Sequence, residues 1–173
     1  MKKLLLFLLV SFLSVNVFAV KNKVVVKSGD LSVLKETANA ILEMDYNGTT
    51  WEEDDDYKEW SGKDYDERVR LSESSFTRKF NATSNGLKIN SENAKYKIVF
   101  KVTNLEQHNG RSTWGRMNMA ITGTIDVIDI VTGKSVLTLD LIQARGSADY
   151  TMTDRINKAF GDLAERLFSD KLK

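Results

Sequence analysis

Apolar and polar residues alternate most regularly in the second half of the chain. Tyr96, Ile98, Phe100 and Val102 fall on one side of an extended segment, with Lys97, Lys101 and Thr103 on the other, the period of a half-buried strand. Met117, Met119, Ile121, Ile125 and Val127 repeat the alternation against Asn118, Thr122, Thr124 and Asp126, and Gly123 marks a bulge or a close approach. Val131-Thr132-Gly133-Lys134 predicts a tight hairpin, from which Leu137, Leu139 and Leu141 return as a neighbouring strand. The period then changes. Ile156, Ala159, Phe160, Leu163, Ala164, Leu167 and Phe168 follow helical spacing, with Asn157, Lys158, Asp162, Glu165 and Arg166 opposite.

The first half is less regular. Val24-Val25-Val26 predicts a strand ended by a turn at Ser28-Gly29-Asp30, and Ile41 to Tyr46 a second, ended by Asn47-Gly48. Thr50 to Ser61 predicts a short helix with Thr50 as cap, acids in its first turn and Gly62 at its exit. A longer helix begins at Asp64, which with Glu67 has the spacing of a capping box, and Val69, Ser72, Phe76 and Phe80 share one face as far as Asn85-Gly86. Strand, helix, strand allows a parallel crossover, whereas the later hairpin is antiparallel. The expected class is therefore α+β: a mixed, largely antiparallel sheet packed by amphipathic helices, in two layers, or three if the helices take opposite faces.

Residues 1–19 have another pattern. Met1-Lys2-Lys3 is basic, Leu4 to Leu13 is almost unbroken apolar sequence, and Val17-Phe18-Ala19 suits a signal peptidase, so 1–19 is expected to be a cleavable secretory signal and 20–173 a single domain. The apolar run is shorter than the roughly 20 residues of a membrane span, so no stable membrane insertion is expected after cleavage. Zero cysteines in an exported chain means no disulfides and no lipid-anchor cysteine, pointing to a periplasmic or secreted location. Of 25 basic and 24 acidic residues the leader takes Lys2 and Lys3, leaving a near-neutral remainder without the basic stripe of a nucleic-acid partner.

Chemistry is sparse. One histidine and no cysteine make a zinc site or other metal cofactor unexpected. Glu52 to Asp56 lack the ligand spacing and central glycine of a calcium loop. Gly110-Arg111-Ser112-Thr113-Trp114-Gly115 is one residue too long for a nucleophile elbow, and His108 is expected in an exposed loop. Asp126 and Asp129 differ by an odd number and point to opposite strand faces, with Asp129 expected to brace the turn at Thr132 and Gly133. No phosphate-binding glycine loop occurs, so no cofactor and no enzymatic activity are expected. Two segments remain as candidate partner-binding surfaces. Trp51, Tyr57 and Trp60 lie among acids, against the simpler reading that Tyr57 and Trp60 cover the sheet edge. His108, Arg111, Trp114 and Arg116 lie in the loop expected from Leu105 to Arg116.

Ala94-Lys95-Tyr96 entering a strand, Gly123-Thr124-Ile125-Asp126-Val127-Ile128-Asp129 leading into Thr132-Gly133-Lys134, and the terminal amphipathic helix together carry a resemblance. The pattern is similar to the α/β domain of the curli-secretion channel subunit, of the outer-membrane lipoprotein activators of penicillin-binding proteins, and of the amino-terminal part of the Tol-system propeller protein. It also resembles uncharacterised exported proteins of Bacteroides-like bacteria. The resemblance covers under half the chain and implies a non-enzymatic envelope accessory that binds an envelope protein partner. It transfers no functional residue, and the absent anchor cysteine, membrane-inserting segment and propeller carry over neither channel formation nor tethering. The alternative expectation is a periplasmic small-ligand carrier, which requires a concave apolar pocket.

Overall fold

The computed structural model describes residues 22–109, 117–147, 149 and 151–169. In chain order the elements are β1 (Lys23–Gly29), a 3-10 turn (Leu31–Lys35), β2 (Asn39–Asp45), β3 (Thr50–Trp51), β4 (Asp55–Asp56), α1 (Tyr57–Ser61), α2 (Tyr65–Thr83), β5 (Lys88–Ile89), β6 (Tyr96–Asn109), β7 (Met117–Asp129), β8 (Ser135–Arg145) and α3 (Met152–Arg166). The strands form one mixed sheet in the order β1-β8-β7-β6-β2-β5, with β3 continuing along the β6 edge and β4 paired to β3. β2 runs parallel to β5 and β6, and β3 parallel to β6; the remaining pairings are antiparallel. The class is α+β, as the periodicities indicate.

The alternation converts directly into burial. Tyr96, Ile98, Phe100 and Val102 of β6, Ile121, Ile125 and Val127 of β7, and Leu137, Leu139 and Leu141 of β8 are all buried under the helices. Both long helices lie on that same side: the Phe100 ring touches Phe76 of α2 at 5.4 Å and Phe160 of α3 at 5.5 Å between centroids. The arrangement is thus two layers. The thin apolar face of α2 has a packing reason, because Ser75 faces Gly161 and its hydroxyl donates to the Asn157 carbonyl of α3 at 2.8 Å. Small residues at this crossing let the helices approach, while Phe76 and Phe80 reach the sheet.

Four expectations need correction. Thr50 to Ser61 is not one helix: the Thr50 hydroxyl donates to Asn104 Oδ1 at 2.9 Å and Trp51 sits opposite Leu105, so the segment begins as a strand on β6. Glu52 and Glu53, both at positive φ, turn the chain back, and Asp56 caps the shorter α1 by accepting from the Glu59 amide at 2.9 Å. The capping box at Asp64 does not form. A preceding 3-10 turn over Gly62–Asp64 puts Asp64 in helical dihedrals, unlike an N-cap, and its carboxylate meets Arg68 at 3.5 Å instead. Ser28 and Gly29 extend β1 and are not a turn, with a register shift between Val26 and Ser28. α3 stops at Arg166, so Leu167 and Phe168 complete the apolar stripe from a turn, where Phe168 still packs on Phe80 at 4.9 Å.

Gly123 is the expected close approach. Opposite it the β6 register slips between Val102 and Asn104, and a Cβ built on Gly123 would stand 2.1 Å from the Lys101 carbonyl oxygen. The obstacle is backbone on a central strand, which no rotamer change relieves. Gly123→Ala is expected to cost about 3 kcal/mol of unfolding free energy. In urea the midpoint should fall with an unchanged slope; a shift within about 0.5 kcal/mol would contradict this packing.

Candidate functional site

The aromatic rings of the aromatic-acidic segment fold into a cluster, while the acids Glu52 to Asp56 stay exposed. Trp51 is 4% exposed and Tyr57 1%. Trp51 stacks on Trp60 at 3.7 Å and 11°, and the Arg68 guanidinium covers Trp60 at 4.6 Å. Tyr57 lies against Tyr46, Trp60 and Tyr65 at 5.8–6.0 Å, and burial pushes its phenol pKa up. Pairing of β3 with β6 turns Trp51 inward opposite Leu105, and α1 then lays Trp60 over it. Trp51 and Tyr57 are therefore core residues, and of the two residues that the simpler reading lays over the sheet edge, Tyr57 is buried and Trp60 keeps partial exposure.

His108 is not in a loop. β6 runs through it, opposite Asn118 of β7, and its Nε2 lies 3.0 Å from Glu106 Oε1, two residues away on the same strand face. Glu106 is buried and His108 half-buried, so the pair is an internal contact of the sheet. Arg111, Trp114 and Arg116 lie outside the described residues, as do residues 1–19, the expected secretory signal.

Two of the hollows among the described residues bear on ligand binding. One of about 570 Å³ is lined by Asn22, Arg145, Ser147, Asp162, Glu165 and Arg166. Its polar groups are partly satisfied: Ser147 donates to Asp162 through its amide and its hydroxyl, Arg166 donates to Asn22 and Glu165 pairs with Lys79, whereas the buried Arg145 Nε has no hydrogen-bond partner among the described residues. The second, of about 500 Å³, lies between the 3-10 turn and the last turns of α2 and α3, where Leu31, Leu34, Leu167 and Phe168 supply apolar walls. Among the described residues no group of three or more His, Cys, Asp or Glu converges as a metal site, and no helix is long and apolar enough to cross a membrane.

The surface feature that sequence reasoning missed is at the β7–β8 hairpin. Ile130 is 44% exposed, Val131 90% and Ile41 41%; among the described residues these are the exposed large hydrophobics. They lie toward one end of the sheet face that carries no helix among the described residues, with Lys97 between Ile41 and Ile128: Ile41 pairs with Lys97, Lys97 with Ile128, and the Ile130 amide donates to the Lys95 carbonyl. The signal was legible as two β-branched apolar residues inside a turn, but Thr132-Gly133 drew attention to turn geometry. That geometry is firm: Asp129 accepts from the Thr132 amide at 2.8 Å and hydroxyl at 2.9 Å, and the Gly133 amide donates to the Asp129 carbonyl at 2.8 Å. Lys95, flanking the patch, pairs with Glu36 at 2.7 Å, and that carboxylate also accepts from Tyr96.

No protein-family model matches the chain, and no curated protein matches it. Among solved structures it is similar to a point variant of the PelC dodecamer from Paraburkholderia phytofirmans, at 15% identity and TM-score 0.46, over 86% of this chain and 98% of that one. The PelC dodecamer in a second crystal form matches at 14% identity and TM-score 0.46, over 83% and 96%. Likeness at this level fixes neither a function nor an assembly for this chain.

The Thr132 amide, and after it the Thr132 hydroxyl, hold the Asp129 carboxyl below its ordinary range. A lowered folded pKa means that the turn contact is complete above the unfolded value and is lost as pH falls through the folded one. The Thr132 amide resonance should therefore titrate with a midpoint below about 3.9, the ordinary aspartate value, and Asp129→Asn should abolish the step. A midpoint at or above that value would contradict the contact.

Proposed function

We propose that this chain is an exported, non-catalytic accessory of the bacterial envelope, periplasmic or secreted, that works by binding another protein through the hairpin end of its sheet. The observation that carries the reading is the exposure of the adjacent Ile130 and Val131 at the hairpin, with exposed Ile41 toward the same end of that sheet face across Lys97. Solvent-facing apolar side chains scattered singly need no explanation, whereas a contiguous group rimmed by polar residues is the usual mark of a protein contact. Here Lys95 lies beside Ile130, Lys97 stands between Ile41 and Ile128, and Asp129 holds the turn in shape, so the partner meets a preformed surface. Export is supported by the basic, apolar and small-residue order of 1–19, and protein binding by the resemblance of the Gly123 to Lys134 pattern to envelope accessories.

The small-ligand reading has one feature in its favour, the 500 Å³ hollow walled by Leu31, Leu34, Leu167 and Phe168. Its polar lining of Lys35, Thr83, Asn85 and Ser169 contains one cation, which suits an amphipathic acid better than a neutral metabolite.

A photo-crosslinking amino acid at Val131, in the producing cells, is expected to yield a discrete adduct with one envelope protein identifiable by mass spectrometry. The same probe at exposed Glu67 on α2 should not. Ile130→Asp should remove the adduct while leaving the melting temperature within a few degrees, since surface changes cost about 0.5 kcal/mol or less. Amino-terminal sequencing of the isolated protein should begin at Val20. Equal labelling from Val131 and Glu67 would overturn the binding surface, and an intact Met1 terminus would overturn export.

A further inference from the structure

The sheet has two open edges of opposite charge. At one end β1 pairs with β8 alone; at the other, β5 covers only Asn39 and Ala40 of β2, so Ile41–Asp45 has no strand neighbour on its outer side among the described residues. Each edge thus presents a row of backbone donors and acceptors that invites another strand. On the helix-free side β1 displays Lys23 and Lys27, of which Lys23 has no ion-pair partner among the described residues and Lys27 only a 3.5 Å contact with Asp140. β2 displays there Glu43, which pairs with Lys97 at 2.5 Å, and Asp45, which accepts from the Asn47 amide at 2.9 Å and has no ion-pair partner among the described residues. On the helix side Val24 and Val26 at one edge, and Leu42 and Met44 at the other, are half-buried against the core rim and finish uncovered.

We propose that β1 of one molecule adds to the outer edge of β2 in a second copy, antiparallel, with Lys23 opposite Asp45, Val24 opposite Met44, Val25 opposite Glu43 and Val26 opposite Leu42. The direction follows from the sheet itself. β1 opposes β8, β8 opposes β7, β7 opposes β6, and β6 is parallel to β2, so a second copy in the same orientation brings antiparallel edges together and keeps both helix layers on one side. The register follows from where each free run ends. The β1 bulge falls between Val26 and Ser28, and this alignment sets it where β5 takes over the β2 edge. Valine then meets methionine and leucine on the core side, and Glu43 lies diagonal to both lysines on the other.

Charge also selects against the competing pairings. Two β1 edges meeting around Val25 would set Lys23 against Lys27, and two β2 edges meeting around Glu43 would set that carboxylate against its own copy; like charges directly opposite are unfavourable. The contact is therefore head-to-tail, which builds a closed ring or an open filament and no two-fold dimer.

The chain has no cysteine, so introduced thiols report cleanly. Within one molecule β1 and β2 are four strand spacings apart, about 19 Å at roughly 4.8 Å each, beyond the ~7 Å reach of a disulfide. With the full chain as isolated from its producing cells, Val24→Cys/Met44→Cys should give a reducible ladder of multimers, and a register-shifted Val24→Cys/Ala40→Cys pair should not. Light scattering at tens of micromolar should give a mass at least twice that of the monomer, falling to the monomer for Lys23→Glu and returning for Lys23→Glu/Asp45→Lys. Circular dichroism confirms folding of each variant. A wild-type protein that stays monomeric at these concentrations, or charge reversal without restoration, would overturn the proposal. Ile41 belongs to both the β2 edge and the hairpin end, but the crosslinking and Ile130→Asp tests of the hairpin reading use positions on neither edge, so the two proposals fail separately.

Discussion

Phe100 is the side chain on which both helix layers close. Fully buried at the middle of β6, its ring receives Phe76 from α2 and Phe160 from α3, and Tyr46 reaches Phe160 from the end of β2. Four aromatic rings in three tilted contacts bury large area and add about 0.5–1.5 kcal/mol per pair beyond that area. Because one residue holds both helices, they must share a side of the sheet. The Ser75 and Gly161 crossing follows from this, since only small residues let α2 and α3 lie close enough to meet over one ring.

One-sided packing leaves the opposite sheet face to solvent contacts of its own making. Lys97 pairs with Glu43, Lys27 with Asp140, and the Thr138 hydroxyl with Asp126 at 2.6 Å, so the polar half of each strand is satisfied by its neighbours across the ladder. The most exposed apolar side chains that those pairs leave, Ile41, Ile130 and Val131, lie on β2 and at the hairpin tip. The surfaces available for work are consequences of where the core is.

Much of the fold was legible because β6, β7, β8 and α3 are long enough for their periods to be counted, and Gly123 announced its bulge by standing where a side chain was due. The failures cluster in short segments governed by contacts far along the chain. Thr50 looks like a cap and acids like a first turn, yet Asn104 and Leu105, some 54 residues on, pull Thr50–Trp51 into the sheet. No local pattern encodes that. His108 was assigned to a loop because polar residues surround it, whereas β6 and β7 pair well beyond their apolar stretches, as far as Asn109 opposite Met117. Trp51 and Tyr57 illustrate the same limit for sites: composition tells that aromatics lie near acids, and only the register of β3 on β6 tells that they face inward.

The most direct measurement is thiol labelling along β6, where single cysteines enter a cysteine-free background. One-sided packing predicts that Lys101→Cys and Thr103→Cys react in the native state at rates near those of the unfolded chain, while Ile98→Cys and Val102→Cys react only through unfolding. Protection of all four positions would mean that the second face is covered as well, and would contradict the account.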